Sequence, residues 1–292
     1  VPRLAALPVR SRPAPQPRES PIAEPWKRSW LYCAPGDRRT LAWLVLLHVA
    51  GLAGLIVLPL PGWPVALISL GVAVLGGLGT TVCYHRAHAH LGLRLNPVVD
   101  HVLVFFAMLN GSGTPRTWVA NHRLHHATSD TEEDISAPAR GFWWAHLRWL
   151  WQAGQAPAAR YCPDLDRPAY RLWNRLQIPI LVLSLGGGLL FGLSAALWLG
   201  PLRLLWALHA QCTVNSICHL GQPTALGGSS KNVWWLAPFL FLQGENWHRN
   251  HHEHPNDPRL GQGAQIDFGW WSILALRRFG LARDVRRVRR AA

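Results

Sequence analysis

The sequence predicts an all-α integral membrane fold: four transmembrane helices carrying a cytoplasmic helical cap with a histidine-rich di-metal site. Three observations predict it. Apolar residues make up 49% of the chain and charged residues only 15%, against roughly 25% charged in a soluble domain, and the apolar residues fall into runs long enough to cross a bilayer. Histidines gather in dense clusters outside those runs. The basic residues lie almost entirely on the histidine side of the runs.

Residues 1–40 are rich in Pro, Arg and Ala and lack the apolar run and cleavage pattern of a signal peptide, so they read as a flexible basic tail. Residues 41–58 form the first predicted span, which just bridges a hydrocarbon core at 1.5 Å per residue. The uncharged turn PLPGWP (59–64) leads into the second, 65–83, whose Gly71, Gly76, Gly77 and Gly79 either permit close helix contact or leave room for a ligand. Residues 97–110 are apolar but too short to cross, which suits a re-entrant or interfacial helix. Residues 118–126 read as helix, 129–134 as an acidic turn, 141–151 as a Trp-rich amphipathic piece for the membrane surface, and 156–171 as polar linker. The third and fourth spans are placed at 176–199 and 202–218, with the turn at Gly200-Pro201. Residues 236–242 suit a short buried segment and 268–276 a surface helix, before a basic tail from 277 to 292. The membrane domain is thus 41–276, with a cap formed by 84–175 and 219–276.

Lys and Arg exceed Asp and Glu by 29 − 15 = 14. Only Arg203 falls near a connection on the far side, and the other 29 − 1 = 28 lie with the histidines. The positive-inside rule makes that side cytoplasmic, with both termini and the histidines facing the cytoplasm from the inner membrane. The excess charge then faces an anionic leaflet, and nucleic-acid binding is not needed to explain it. The five cysteines form no C-x-x-C pair, which argues against a disulfide framework and against thiolate-bound zinc or iron–sulfur clusters.

His-x-x-His-His occurs twice, as His122, His125, His126 and as His248, His251, His252. On a helix those offsets put three imidazoles on one face. A third cluster holds His85, His88 and His90, and His219 follows the last span. So many imidazoles exceed what one metal can use, and two metals are the economical reading. Nitrogen-rich ligation without thiolate suits iron, zinc or copper. No H-E-x-x-H is present, which weighs against the commonest metallohydrolase pattern. His48, His101 and His209 stand alone and read as packing or hydrogen-bonded histidines, His254 as lying outside any ligand set, and His146 as a neighbour of the ligands or of a substrate.

Three boxes carry a resemblance: His85-Arg86 followed by His90, His122-x-x-His125-His126, and His248-x-x-His251-His252, joined by Asn215-Ser-x-x-His219. With Gly79-Thr80, Trp118, Asp134, Gly141-Phe142, His146, Gly244-Glu245, Asp267 and Trp270 around them, the chain resembles the integral-membrane fatty-acid desaturases, most like the acyl-CoA delta-9 group. The resemblance implies nine ligands, His85, His90, His122, His125, His126, His219, His248, His251 and His252, holding two iron ions, with Asn215 reaching one iron through water. It implies an enzyme that uses O2 to insert a cis double bond, expected at delta-9, into a saturated acyl chain. The substrate would be a long-chain acyl thioester, acyl-CoA foremost, or an acyl lipid. Two electrons would come from an external ferredoxin, rubredoxin or cytochrome b5-like carrier. A related di-iron hydroxylase is the alternative, separated by product analysis, and a non-enzymatic metal-binding or transport protein is a second. Asp130, Glu132, Asp134, Glu245 and Asp267 are candidates to orient ligating rings, and Trp118 and Trp247 to line a substrate tunnel or pack the core. The chain departs from the pattern at His88, which a plain helix could aim at the metals, and in WLWQAGQA (149–156), which lacks the basic pair of some acyl-CoA members.

Overall fold

The computed structural model describes residues 28–129, 131, 133–221 and 228–287. Asp130 and Glu132 fall outside them, as do residues 1–27 and 288–292. Helix α1 (Arg38–Val57) and α2 (Trp63–Leu78) form a hairpin, and α2 runs on without a break as π-helix over Gly79–Ala89. Then come α3 (Pro97–Leu109), α4 (Pro115–Thr128), a π-turn Trp144–Arg148 leading into α5 (Trp149–Gln152), and α6 (Ala158–Tyr161). Helix α7 (Pro168–Gly186) pairs with α8 (Leu193–Leu197), which continues through a π-turn into α9 (Arg203–Ser216). Helices α10 (His248–Glu253) and α11 (Phe268–Arg278) complete the helices. Among the described residues the one sheet is a two-residue antiparallel ladder between β1 (Arg94–Leu95) and β2 (Ala282–Arg283).

Among the described residues, three helical stretches are long and apolar enough to cross a bilayer: Arg38–Val57, Trp63–Ala89 and Pro168–Phe191. The protein is a multi-pass membrane protein. The turn before the last long helix is not at Gly200-Pro201. It lies at Gly192, whose φ of 101° and ψ of 171° belong to a region open essentially to glycine alone. Pro201 sits inside a continuous helix, where the wider π-turn of Trp198–Leu202 absorbs the missing N–H that would break an α-helix.

That shift moves Arg203 from a connection into the bundle. It is buried, and its guanidinium donates to the carbonyls of Leu199 (2.8 Å) and Leu109 (3.1 Å), to Asn110 Oδ1 (2.6 Å) and to the Ser184 hydroxyl. A cation at that depth persists only with its donors satisfied.

Gly76, Gly77 and Gly79 serve close packing, whereas a Cβ on Gly71 would meet nothing within 4 Å. A Cβ on Gly79 would meet Leu103 O of α3 at 2.3 Å, and one on Gly76 would meet Asn110 at 2.4 Å. Residues 156–171 are not a polar linker: Cys162, Leu165 and Tyr170 are buried against Val104, Val119 and Ala120 in the main core cluster. The segment before α1 is likewise pinned from residue 28 on. Ala34 N donates to Trp151 O at 2.8 Å, and Gln152 Nε2 donates to Ser29 O at 3.0 Å. The C-terminal tail is packed up to residue 287, because β2 pairs with β1, Arg286 N donates to Gly92 O and Arg287 lies over Trp270.

Candidate metal centre

Each histidine box sits on a short helix whose winding aims it. In α4, Thr114 accepts from Thr117 N and Pro115 occupies the first turn, where its missing N–H costs nothing. The helix then projects His122, His125 and His126 from one face, and α10 does the same for His248, His251 and His252. The first box needs different winding. An α-helix would set His85 and His90 about 140° apart. The π-helix closes each turn with a bond between residues five apart, and here His90 N donates to His85 O at 3.1 Å, so the two rings return to the same side. The same winding carries His88 away from them.

The nine histidines converge in two groups. His85, His90, His122, His126 and His251 form one, and His125, His219, His248 and His252 the other, each with its ligand nitrogens within 4.8 Å of one another. In the first, Nε2 faces Nε2 between His90 and His122 (2.8 Å), His85 and His251 (3.0 Å), and His126 and His251 (2.9 Å). In the second, His248 Nε2 lies 2.9 Å from His219 Nε2 and 3.1 Å from His252 Nε2. The groups adjoin, for the His126 and His252 rings stack at 4.5 Å.

Carboxylates fix the tautomers. Glu245 lies 2.9 Å from His85 Nδ1 and itself accepts from the Thr81 hydroxyl, while Arg86 approaches to 3.7 Å. Asp134, fully buried, accepts from His125 Nδ1 at 2.9 Å and from Ser136 N and Oγ. A carboxylate only accepts, so the proton of each ring sits on Nδ1 and the Nε2 lone pair is left for a cation. Asp267 does not orient a histidine. It caps α11 by accepting from Trp270 N and pairs with Arg86 at 3.0 Å. Arg86 in turn donates to the carbonyls of Gln243 (2.6 Å) and Pro258 (2.8 Å), fastening the first box to the third. Sequence reasoning missed Thr81 and Arg86 in these supporting roles.

Burial, with the neighbouring imidazoles second, holds His90, His122, His126, His248, His251 and His252 well below the ordinary histidine value. Burial acts to raise Glu245, but His85 and Arg86 outweigh it and hold the carboxyl below its usual range. Imidazoles converging on two points, six of them held neutral by burial and two backed by the carboxylates of Glu245 and Asp134, are the donor set a pair of divalent metals takes.

A cavity of ≈470 Å3 reaches this centre, within the size range of ligand sites. His85, His122, His125, His248, Glu245 and Asn215 line it at the centre, and Trp118, which stacks on His122 at 4.8 Å, lies beside them. Leu47 of α1 and Leu204 and Leu208 of α9 give it an apolar wall. Trp247 is not part of it; its indole donates to Ile266 O at 2.8 Å. His88 is turned to Asp100 (2.7 Å), away from both groups. His146 is turned elsewhere than to the nine converging histidines: its Nδ1 lies 2.9 Å from Ser216 Oγ and its Nε2 3.0 Å from His209, which in turn faces His48 at 3.2 Å.

A family profile described as fatty acid desaturase matches residues 61–261. Delta-9 acyl-lipid desaturase 1 of Arabidopsis thaliana is 35% identical over 233 residues, covering 77% of this chain and 76% of that protein. The sn-1 stearoyl-lipid 9-desaturase of Anabaena variabilis is 33% identical, covering 75% and 84%. The icosanoyl-CoA 5-desaturase of Limnanthes douglasii is 31% identical, covering 89% and 74%.

Proposed function

Because the chain belongs to the fatty acid desaturase family, we infer that its nine converging histidines hold two irons and that the cavity beside them receives a saturated acyl chain. The protein is an oxygen-dependent desaturase working at a histidine-coordinated di-metal site. His85, His90, His122, His126 and His251 serve one iron and His125, His219, His248 and His252 the other, with Asn215 at the cavity wall beside them. The carrying observation is the pairing of donor with donor: imidazole nitrogens meet imidazole nitrogens, with carboxylates fixing the outer protons, and a cation at each centre completes them.

Two irons supply the activation of dioxygen that removal of hydrogen from an unactivated methylene requires. The protein's own part is placement. A saturated chain offers no polar handle near its middle, so the apolar walls must set which carbons lie against the histidines. Glu245 and Asp134 keep His85 and His125 in the ligating tautomer through that cycle. The product is a cis double bond, placed at delta-9 by likeness to relatives whose names carry that position. Two electrons arrive from an external ferredoxin, rubredoxin or cytochrome b5-like carrier.

The helix from Leu193 to Ser216 makes a fourth crossing, supported by its packing on α1, α2 and the α7 hairpin. The histidines and both termini then face the cytoplasm, because neither connection at the opposite end, 58–62 or 187–192, contains a Lys or Arg.

Expression in a host lacking desaturase activity, followed by lipid mass spectrometry with double-bond localisation, tests this reading. A new mono-unsaturated chain is expected, dependent on O2. A retained hydroxyl instead of a double bond would make the protein a hydroxylase.

A further inference from the structure

Desaturation places a strong oxidant inside a protein that is itself oxidisable. In the balanced reaction a –CH2–CH2– unit, O2, two electrons and two protons give –CH=CH– and two waters. Half of the electrons that O2 takes come from the carrier and half from the acyl chain. When O2 is activated with no chain in the cavity, the second half must come from the protein. Trp and Tyr lose single electrons most readily, so their placement around the centre decides which residue supplies them.

Among the described residues, one ring other than histidine contacts the converging imidazoles. Trp118 stacks on His122 at 4.8 Å, with 15° between the planes, and lies 6.0 Å from His85. Tyr84, fully buried, lies 5.8 Å from Trp118, and its hydroxyl donates to Gly113 O at 3.1 Å. Tyr84 and Tyr170 belong to one buried cluster. Cys83, next to Tyr84 in the chain, donates to Asp100 Oδ1 at 3.2 Å, and the Tyr170 hydroxyl donates to Oδ2 of the same carboxylate. Beyond Tyr170, the His101 ring lies 5.7 Å from it and 6.0 Å from Trp173, whose indole donates to His101 Nδ1 at 3.0 Å. Trp173 is only half-buried, so the series ends near the surface. Trp118 lines the cavity, whereas Tyr84, Tyr170 and Trp173 do not.

Tyr84 and Tyr170 differ in what receives the phenolic proton. A phenol that loses an electron becomes a strong acid, and it holds the oxidation only where its proton has a base to go to. The partner of Tyr84 is a peptide carbonyl, which is no base. The partner of Tyr170 is Asp100, a carboxylate that also accepts from Cys83 and faces His88 Nε2 at 2.7 Å, the pattern of an ionised, acceptor-only group. Tyr84 therefore serves passage, and Tyr170 is where an oxidising equivalent comes to rest.

We propose that Trp118, Tyr84 and Tyr170 carry oxidising equivalents out of the metal centre when no acyl chain is bound, so that uncoupled O2 activation does not destroy the ligands. The proposal rests on the desaturase reading, which supplies the O2 and the reduced centre. Trp118 gives one electron to the centre and is refilled through Tyr84 from Tyr170, whose proton crosses its existing hydrogen bond to Asp100. One electron from the external carrier, arriving by way of Trp173 and His101, then restores the phenol, and the proton returns. Two passes, with protons from water, complete the reduction of O2 to two waters without loss of a side chain.

The test uses the full-length iron-loaded enzyme in nanodiscs whose lipids carry only unsaturated chains, chemically reduced, mixed with O2 and freeze-quenched. Electron paramagnetic resonance should show an organic radical whose spectrum narrows when the tyrosines carry ring deuterium. In D2O, electron–nuclear double resonance should find an exchangeable deuteron bonded to the phenoxyl oxygen, the one that Asp100 received. Tyr170→Phe should remove most of the signal, and peptide mass spectrometry should then find oxygen added to Trp118 or to the ligating histidines severalfold more often. A saturated acyl chain, supplied as lipid or as acyl-CoA, should lower the radical severalfold in the unaltered enzyme, and Tyr170→Phe should desaturate it at the unaltered rate. A radical that is absent, insensitive to tyrosine deuteration or without the exchangeable deuteron would overturn the proposal. So would a Tyr170→Phe protein with undiminished signal and no added damage. The two isotope measurements use the unaltered protein and decide the matter even where the variant does not fold. Failure to desaturate a saturated chain under the same conditions would instead sink the desaturase reading, and the proposal with it.

Discussion

Two clusters of metal-capable side chains flank the π-wound end of α2, and they differ in sign. On one side imidazole nitrogens face one another at 2.8–3.1 Å. On the other, Cys83, His88, Asp100 and Tyr170 come just as close: His88 Nε2 lies 2.7 Å and Cys83 Sγ 3.2 Å from Asp100 Oδ1, and the Tyr170 hydroxyl donates to Oδ2. Proximity alone would name both as metal sites. The second, however, is built on one acceptor that takes three donors, so its hydrogen bonding closes without a cation. Burial acts to raise Asp100, and His88, Tyr170 and Cys83 together bring its carboxyl below the ordinary value. The first has no such anion among its converging atoms: nine imidazoles meet in two groups, and His85 and His125, pinned through Nδ1 by Glu245 and Asp134, bring only a lone pair at Nε2. What marks a metal centre here is unmatched sign among converging donors.

The largest expected effect breaks the unmatched side. His125→Ala or His251→Ala should reduce desaturation below detection and lower iron bound per chain, while the protein stays in the membrane fraction. Unchanged product in both variants would remove these residues from the site. One step out, Glu245→Gln and Asp134→Asn keep the ring contacts but no longer dictate the tautomer. Iron affinity or activity should fall about 10- to 100-fold, measured by iron content after dialysis against a chelator.

Removing the metals should expose the pH dependence that the histidine environment sets. Six of these imidazoles are held well below the ordinary histidine value. The unfolded chain therefore binds more protons than the folded one as pH falls through about 6.5, the unperturbed value, and folding stability must drop in that range. The metal-free protein should keep a constant Tm above pH 7 and lose it progressively below about 6.5. A Tm that rises on acidification would contradict the burial of neutral imidazole.

Much of this was legible in the chain. The two His-x-x-His-His boxes sit on ordinary α-helices, so spacing alone placed six ligand candidates on two faces, and Glu245 and Asp134 lie close enough in sequence to be suspected. The first box was not fully legible. Nothing in its residue periodicity announces π-winding, and without it His88, about 60° round from His85, would be better placed beside that ring than His90. The turn at Gly192 was hidden for a related reason. Pro201 is the stronger breaker by propensity, but a π-turn accommodates it, while Gly192 sits in an unbroken apolar run. Thr81 and Arg86 act across long sequence separations, which only tertiary packing reveals.

The smallest expected effect lies on the matched side and sharpens the comparison most. His88→Asn removes one of three donors to Asp100 but leaves Tyr170 and Cys83 in place, and no ring of the nine-histidine centre moves. Iron content should stay at the unaltered level and desaturation within about threefold, with a loss of about 1–3 kcal/mol in stability from the weakened buried network. Cys83→Ser should cost less still, since a hydroxyl can replace the thiol as donor to Asp100. If His88→Asn instead removed iron in proportion to activity, the distinction between matched and unmatched clusters would fail, and His88 would belong with the ligands.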